Sequence, residues 1–142
     1  MLQLVMEHYY AIRRNNTTMI EIKNSEVSGR GVFATVDIPA GTLFHQAPVL
    51  AYPNEEHQYI EKTVFADYAF EYGIGRSAIL LGYGMLFNHS YEPNATYDIN
   101  FDNETFDFSA YKDIKAGEEV FINYNGDIDD MDPLWFNEEE EK

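Results

Sequence analysis

The 142-residue sequence contains no cysteine. That excludes disulfides, thiolate zinc sites and thiol catalysis together. Histidine is scarce too. His8, His45, His57 and His89 are the four present, and no two stand at the short spacing of a metal motif, so no metal is expected. Basic residues are few, 9 Lys and Arg against 25 Asp and Glu, for a formal net charge of −16. Such a chain repels a phosphate backbone, which argues against direct nucleic-acid binding. Long apolar runs are missing: nothing approaches the roughly 20 residues that span a bilayer. The N-terminal stretch does not follow a signal peptide, because its charges come after the apolar part and Glu7 and His8 interrupt it. The expectation is a soluble, intracellular protein, cytoplasmic if the source is bacterial, with no membrane partner.

What is present is a globular composition, 45% hydrophobic and 15% aromatic. That suffices for one core in a chain of single-domain length. Met19 to Lys23 alternates apolar and polar residues, and Val32 to Val36 is β-like. Asn24 to Gly31 is turn-rich, and Asp37-Ile38-Pro39-Ala40-Gly41 is a second turn. Thr42 to Tyr52 reads as one or two short strands broken at Pro48. Pro53 to Thr63 reads as a helical turn and Val64 to Tyr72 as aromatic and extended. Ser77 to Phe87 fits a short buried helix or a buried strand equally well. Thr96 to Phe101 and Thr105 to Tyr111 alternate around Asp102-Asn103-Glu104, which predicts a hairpin. Ala116-Gly117 is a turn before a last strand, Glu119 to Tyr124. The acidic Asp127 to Asp132 stretch is loop-like. The sum is a mainly β domain without the strand–helix alternation of a doubly wound sheet.

Two segments fit a loose dinucleotide pattern, Gly29-Arg30-Gly31-Val32-Phe33-Ala34 and Gly73-Ile74-Gly75-Arg76-Ser77-Ala78. Such a site needs a strand before and a full helix after. Neither segment has both, so each taken alone is a glycine turn. Other short motifs are equally weak singly. Asn88-His89-Ser90 could cap a turn, and Asn94 could tolerate a left-handed one.

In order and spacing, however, Ser28 to Ala34, the turn at Asp37 to Gly41, Phe87-Asn88-His89-Ser90 with Pro93-Asn94, and Ala116 to Tyr124 resemble the SET-domain protein-lysine methyltransferases. The resemblance runs from about Met19 to Tyr124. The chain looks most like the short stand-alone viral and bacterial members. It implies an N-terminal extension at 1–18, a SET domain at 19–126, and an acidic segment at 127–142 carrying a candidate apolar lid, Trp135 and Phe136. The fold implied is a β-clip of short curved sheets with a knot-like C-terminal crossing and a few short helices.

The function implied is methyl transfer from S-adenosylmethionine to a lysine amine of a protein. Gly29, Arg30, Gly31, Val32, Asn88, His89, Tyr124 and Trp135 would bind the cofactor. Glycines admit close backbone approach, and an Asn amide offers both donor and acceptor to a zwitterion. Tyr124 would be catalytic, and Tyr68, Phe87 and Tyr124 would line the lysine channel. The negative charge favours a basic protein substrate, although charge also serves solubility.

Two departures from the family pattern stand out. Tyr91 follows Ser90 where larger relatives carry Cys, and Asn123 precedes Tyr124 where relatives often carry Asp. Without cysteines zinc cannot close the channel, so the 127–136 tail or a second subunit of a homodimer must do so. The Asn123 departure leaves a second reading open, a weak or inactive module that binds basic proteins or peptides.

Overall fold

The structure, a computed structural model, describes residues 18–134. Trp135, Phe136 and the 1–17 segment lie outside the described residues. Among the described residues nine strands form two sheets. β1 (Ile20–Asn24) and β2 (Arg30–Ala34) make an antiparallel hairpin. β2 pairs with β9 (Glu119–Ile122) through Val32 opposite Val120. β9 in turn runs parallel to β6 (Asn88–His89), with Asn88 opposite Phe121 and His89 opposite Ile122. The first sheet therefore has the order β1-β2-β9-β6. The implied crossing of the Asn88-His89 and Glu118 to Tyr124 segments is this parallel pair.

The second sheet is built on β3 (Leu43–Pro53), the longest strand at 11 residues. Around it stand β4 (Phe70–Glu71), β5 (Arg76–Leu80), β7 (Ala95–Asn100) and β8 (Thr105–Ala110), in the order β4-β5-β3-β8-β7. Alternation explains β8. Phe106, Phe108 and Ala110 are buried, while Asp107 faces out and accepts from Thr105 Oγ1, Asn100 Nδ2 and Gln46 Nε2. Those donors, Thr105 first, hold the Asp107 carboxyl below its usual range. One apolar cluster joins the sheets, with Ile20, Val32, Val120 and Ile122 from the first and Leu80, Phe106 and Phe108 from the second.

Three expectations about local structure need correction. Pro48 does not break β3. The strand changes partner there, pairing with β8 up to Pro48 and with β5 from Val49. Pro48 has no N–H to lose, and its carbonyl accepts from Leu81 N–H. Val64 to Tyr68 is a 3₁₀ turn rather than extended chain, started by Thr63 Oγ1 accepting from Phe65 N–H. The last strand stops at Ile122, two residues before Tyr124. The ambiguous Ser77 to Phe87 stretch begins as a buried strand, β5, and turns after Leu80. The helical turn expected in Pro53 to Thr63 is present as a 3₁₀ turn, Asn54–Glu56, followed by α1 (His57–Ile60).

Candidate active site

Because β6 has only two residues, its ladder with β9 is too short to hold the crossing by itself. Side chains complete it. Asn94 donates from Nδ2 to Glu119 O at 2.8 Å and accepts at Oδ1 from Phe121 N–H at 2.8 Å, so one amide mimics a missing strand partner along β9. His89 Nδ1 accepts from Tyr124 N–H at 3.1 Å. Tyr124 Oη donates to Phe87 O at 2.7 Å. The tyrosine is thereby gripped at both ends by the segment that precedes and forms β6.

An accepting Nδ1 places the His89 proton on Nε2. Burial lowers the pKa of this ring, which keeps it neutral. Its Nε2 is buried and has no hydrogen-bond partner among the described residues, an orphan donor of the kind that costs about 1–3 kcal/mol when left unmet.

Beside Tyr124 opens a cleft of about 580 Å³. Phe87, Met85, Tyr97 and Tyr124 form its apolar, buried to half-buried end. Asp67, Glu71, Asp98 and Asp127, all exposed, form its rim. No Lys or Arg lines it. Burial, then the nearby Tyr68 and Glu119, push the Tyr124 hydroxyl up to about 12. Burial, then the charges of Glu71 and Asp127, do the same to Tyr97, also to about 12. Both hydroxyls are neutral at physiological pH.

The sequence-derived site residues fall into two groups. Tyr68, Phe87 and Tyr124 do line one cleft. Phe87 contributes its backbone carbonyl, while its ring stacks on Phe108 at 4.6 Å in the core. On the other side of the crossing, Asn88 Nδ2 donates to Arg30 O at 3.1 Å and Ser28 O at 3.4 Å, and to Glu119 Oε1 at 2.7 Å. Gly29 makes the turn into β2 with φ +49°. A Cβ on Gly31 would strike the Glu119 carboxylate and come within 3.0 Å of Asn88 Nδ2, so a side chain there would displace the Glu119 carboxylate from Asn88. The Val32 side chain is fully buried, which leaves only its backbone for any ligand.

The two departures, Tyr91 and Asn123, turn out to share a task. Asn123, just 2% exposed, donates from Nδ2 to Asp130 O at 2.6 Å. An Asp carboxylate there would have no proton to give. Its Oδ1 accepts from Asn125 N–H, and Asn125 Nδ2 reaches Asp132 O at 2.8 Å. Tyr91 Oη donates to the same Asp132 O at 3.0 Å. Both unusual residues therefore pin the Asp127 to Asp132 loop, whose first residue lines the cleft.

The SET-domain family pattern matches residues 29–125. The chain belongs to the SET-domain family. Over 121 residues it is 36% identical to a histone-lysine N-methyltransferase, H3 lysine-37 specific, of Schizosaccharomyces pombe, covering 84% of this chain and 78% of that protein. Its fold is similar to a Plasmodium falciparum protein assigned as a histone methyltransferase, with TM-score 0.66, 28% identity, and coverage of 84% and 98% of the two chains. It is also similar to the Chaetomium thermophilum Polycomb Repressive Complex 2 in an autoinhibited conformation bound to S-adenosylmethionine. There the TM-score is 0.66 and identity 26%, and the match spans 92% of this chain but 17% of that one.

This SET domain is a protein-lysine N-methyltransferase that uses S-adenosylmethionine and acts on a protein. Among the described residues no helix is long and apolar enough to cross a membrane. The sequence reading missed Tyr97, Glu119 and the rim carboxylates. Tyr97 carried a usable signal, since it alternates with Ala95 and Ile99 along β7 and so shares the inward face. Glu119 carried none, because its neighbours come from Ser25 and Asn88, 94 and 31 residues away.

Proposed function

We propose that the acidic cleft receives the target lysine from a cationic protein segment, a histone tail being the substrate class, and that Tyr124 is the catalytic residue at its buried end. The observation that carries this is the Tyr124 hydroxyl, fixed 2.7 Å from Phe87 O at the half-buried end of a cleft whose charged lining residues are all carboxylates. Relatives named as a histone-lysine N-methyltransferase and a histone methyltransferase support the same substrate class.

The cleft treats a lysine in two ways along its length. The rim carboxylates attract the protonated amine and favour its charge. The aromatic end disfavours that charge by desolvation, working against a free-lysine pKa of about 10.4. A neutral tyrosine is a poor base, so the proton leaves to water at the rim, and Tyr124 serves to aim the neutral amine. A hydroxyl accepts as well as donates. Holding reacting atoms in line contributes up to roughly 7–11 kcal/mol.

S-adenosylmethionine, when bound, supplies the electrophilic methyl. The residues present suit it: the Asn88 amide, the carbonyls of Ser28 and Arg30, the close backbone approach that Gly31 allows and the unmet His89 Nε2 all lie at the β2–β6–β9 crossing. Gly29 to Val32, Asn88, His89 and Tyr124 are assigned to it, with Trp135 as a lid outside the described residues. The weak-module reading rested on Asn123 alone, and the hydrogen bonds of Asn123 give that residue a structural reason. A homodimer completes the proposal. Light scattering that returns the monomer mass at micromolar concentration would count against it.

The test is incubation with S-adenosylmethionine and purified histones, read by mass spectrometry. Methyl increments on lysines among basic residues are expected, at a rate that falls as salt rises, since the Debye length is about 10 Å at 0.1 M. Methylation without salt dependence would detach the rim carboxylates from substrate recruitment. No methylation of any basic protein would overturn the assignment.

A further inference from the structure

Glu119 stands where the established reading assigns no role. Its carboxylate accepts from Ser25 Oγ at 2.9 Å through Oε2 and from Asn88 Nδ2 at 2.7 Å through Oε1. Both donors are neutral. The ion pairs among the described residues are Lys23–Glu21 and Lys115–Asp37, so this half-buried carboxylate has no cation of its own. A charge drawn partly out of water without a counter-charge is costly. A simple prop for the Ser25–Arg30 turn would do as well with a neutral amide.

The acceptors around it are arranged for a cation. Three oxygens, Glu119 Oε1, Arg30 O and Ser28 O, converge on one point, now taken by the Asn88 amide nitrogen, at 2.7, 3.1 and 3.4 Å. An amide nitrogen has two protons to share among three acceptors, whereas an ammonium has three and a full positive charge. The lack of a side chain at Gly31 is what admits the carboxylate to this place.

We propose that Glu119 is a cofactor-binding residue, its carboxylate acting with the Ser28 and Arg30 carbonyls as the counter-charge for the α-ammonium of S-adenosylmethionine. This rests on the reading that places the cofactor at the β2–β6–β9 crossing. The assignment gives the unpaired carboxylate its cation and makes the site select a zwitterionic amino-acid end over an otherwise equal ligand without the amine. Glu119 is also within electrostatic reach of the Tyr124 hydroxyl, which its charge helps to raise. One carboxylate thus contacts Asn88 directly and acts on the Tyr124 hydroxyl through its charge.

The test is calorimetric binding of S-adenosylhomocysteine and of its desamino analogue, in which hydrogen replaces the α-amino group. Wild type should prefer the amino ligand at least tenfold, about 1.4 kcal/mol. Glu119→Gln should shrink that preference below about threefold while leaving the desamino affinity within about twofold. Ser25→Ala, which removes a prop but no charge, should keep the preference. Equal weakening of both ligands by Glu119→Gln would make Glu119 a structural prop and overturn the proposal, as would an unchanged preference. If Glu119→Gln does not fold, wild type decides: equal affinities overturn the assignment, and a tenfold preference that shrinks with added salt supports it. Failure of the underlying site reading looks different, because Asn88→Ala would then leave binding of S-adenosylhomocysteine intact.

Discussion

The two sheets reach rigidity by opposite means. In the five-stranded sheet long strands carry their own ladders, β3 with 11 residues and β7 and β8 with six each, and rings fill the space between. Phe106 lies against Phe70, Tyr72 and Tyr97 with ring centroids 5.3 to 6.3 Å apart. In the four-stranded sheet β6 has two residues and β9 four. Asn94, Asn88 and His89 take over from a ladder that ends too soon. The apolar sheet lends β4 and β7 residues to the wall of the cleft, and the polar crossing fixes Tyr124 at its end. Short strands leave backbone groups to be met by side chains, and the same polar side chains are then available to a ligand.

Phe106→Ala should produce the largest loss of stability. The ring is fully buried, and truncation of a buried Phe costs about 3–5 kcal/mol. A denaturant melt checks it, and a loss below 1 kcal/mol would mean that the rings are not what holds the five-stranded sheet. Tyr124→Phe should act on chemistry instead. A fall of about 10²–10³ in single-turnover rate, roughly 2.7–4 kcal/mol, is the scale for one well-placed polar group. Cofactor affinity should stay within about twofold. Normal turnover in the folded variant would remove Tyr124 from catalysis.

Asn94→Ala should cost about 2–3 kcal/mol, since two backbone groups of β9 lose their partner together. Asn94→Asp keeps the acceptor for Phe121 N–H and loses the donor to Glu119 O, so it should fall between. Equal stability of wild type and Asn94→Ala would erase the contrast between the sheets.

The smallest effect separates two histidines, one per sheet. His45 sits among Tyr83, Phe87 and Phe108, and His89 beside Tyr91 and Tyr124. Burial lowers the pKa of both, and both leave Nε2 unmet. A lowered folded pKa means that the unfolded chain binds more protons. Their contribution is therefore whole above the unfolded value of about 6.5 and is lost as pH falls below it, toward the folded pKa. His45→Phe should flatten the decline in melting temperature below pH 6.5 and cost little at pH 7, where an orphan nitrogen is replaced by carbon. An unaltered pH slope would show that His45 does not titrate with unfolding.

Much of the architecture was legible along the chain. Alternation placed β1, β7 and β8, and the glycine turns placed the bends, because one buried face imposes a period of two. The ordered motifs identified the family and brought Tyr68, Phe87 and Tyr124 to one cleft. Pro48 misled because a partner change, invisible locally, spares the N–H that proline lacks. Asn123 suggested weakened function, since its use depends on Asp130 O, a backbone atom seven residues on.

The sequence by itself determined the class: an acidic, cysteine-free, mainly β chain of the SET family, with Asn88-His89 and Tyr124 as its candidate site residues. Charge and strand content follow from residue type and local period, and the family from the resemblance carried by the order of its motifs, all of which a chain displays without folding. Tertiary structure alone decided that Tyr91 and Asn123 hold one loop and that four scattered carboxylates rim one cleft. It also decided that Glu119 meets Asn88 over a glycine. Each is a meeting of residues far apart in the chain, and only the parallel pairing of β6 with β9 and the packing of the two sheets bring such residues within hydrogen-bonding distance.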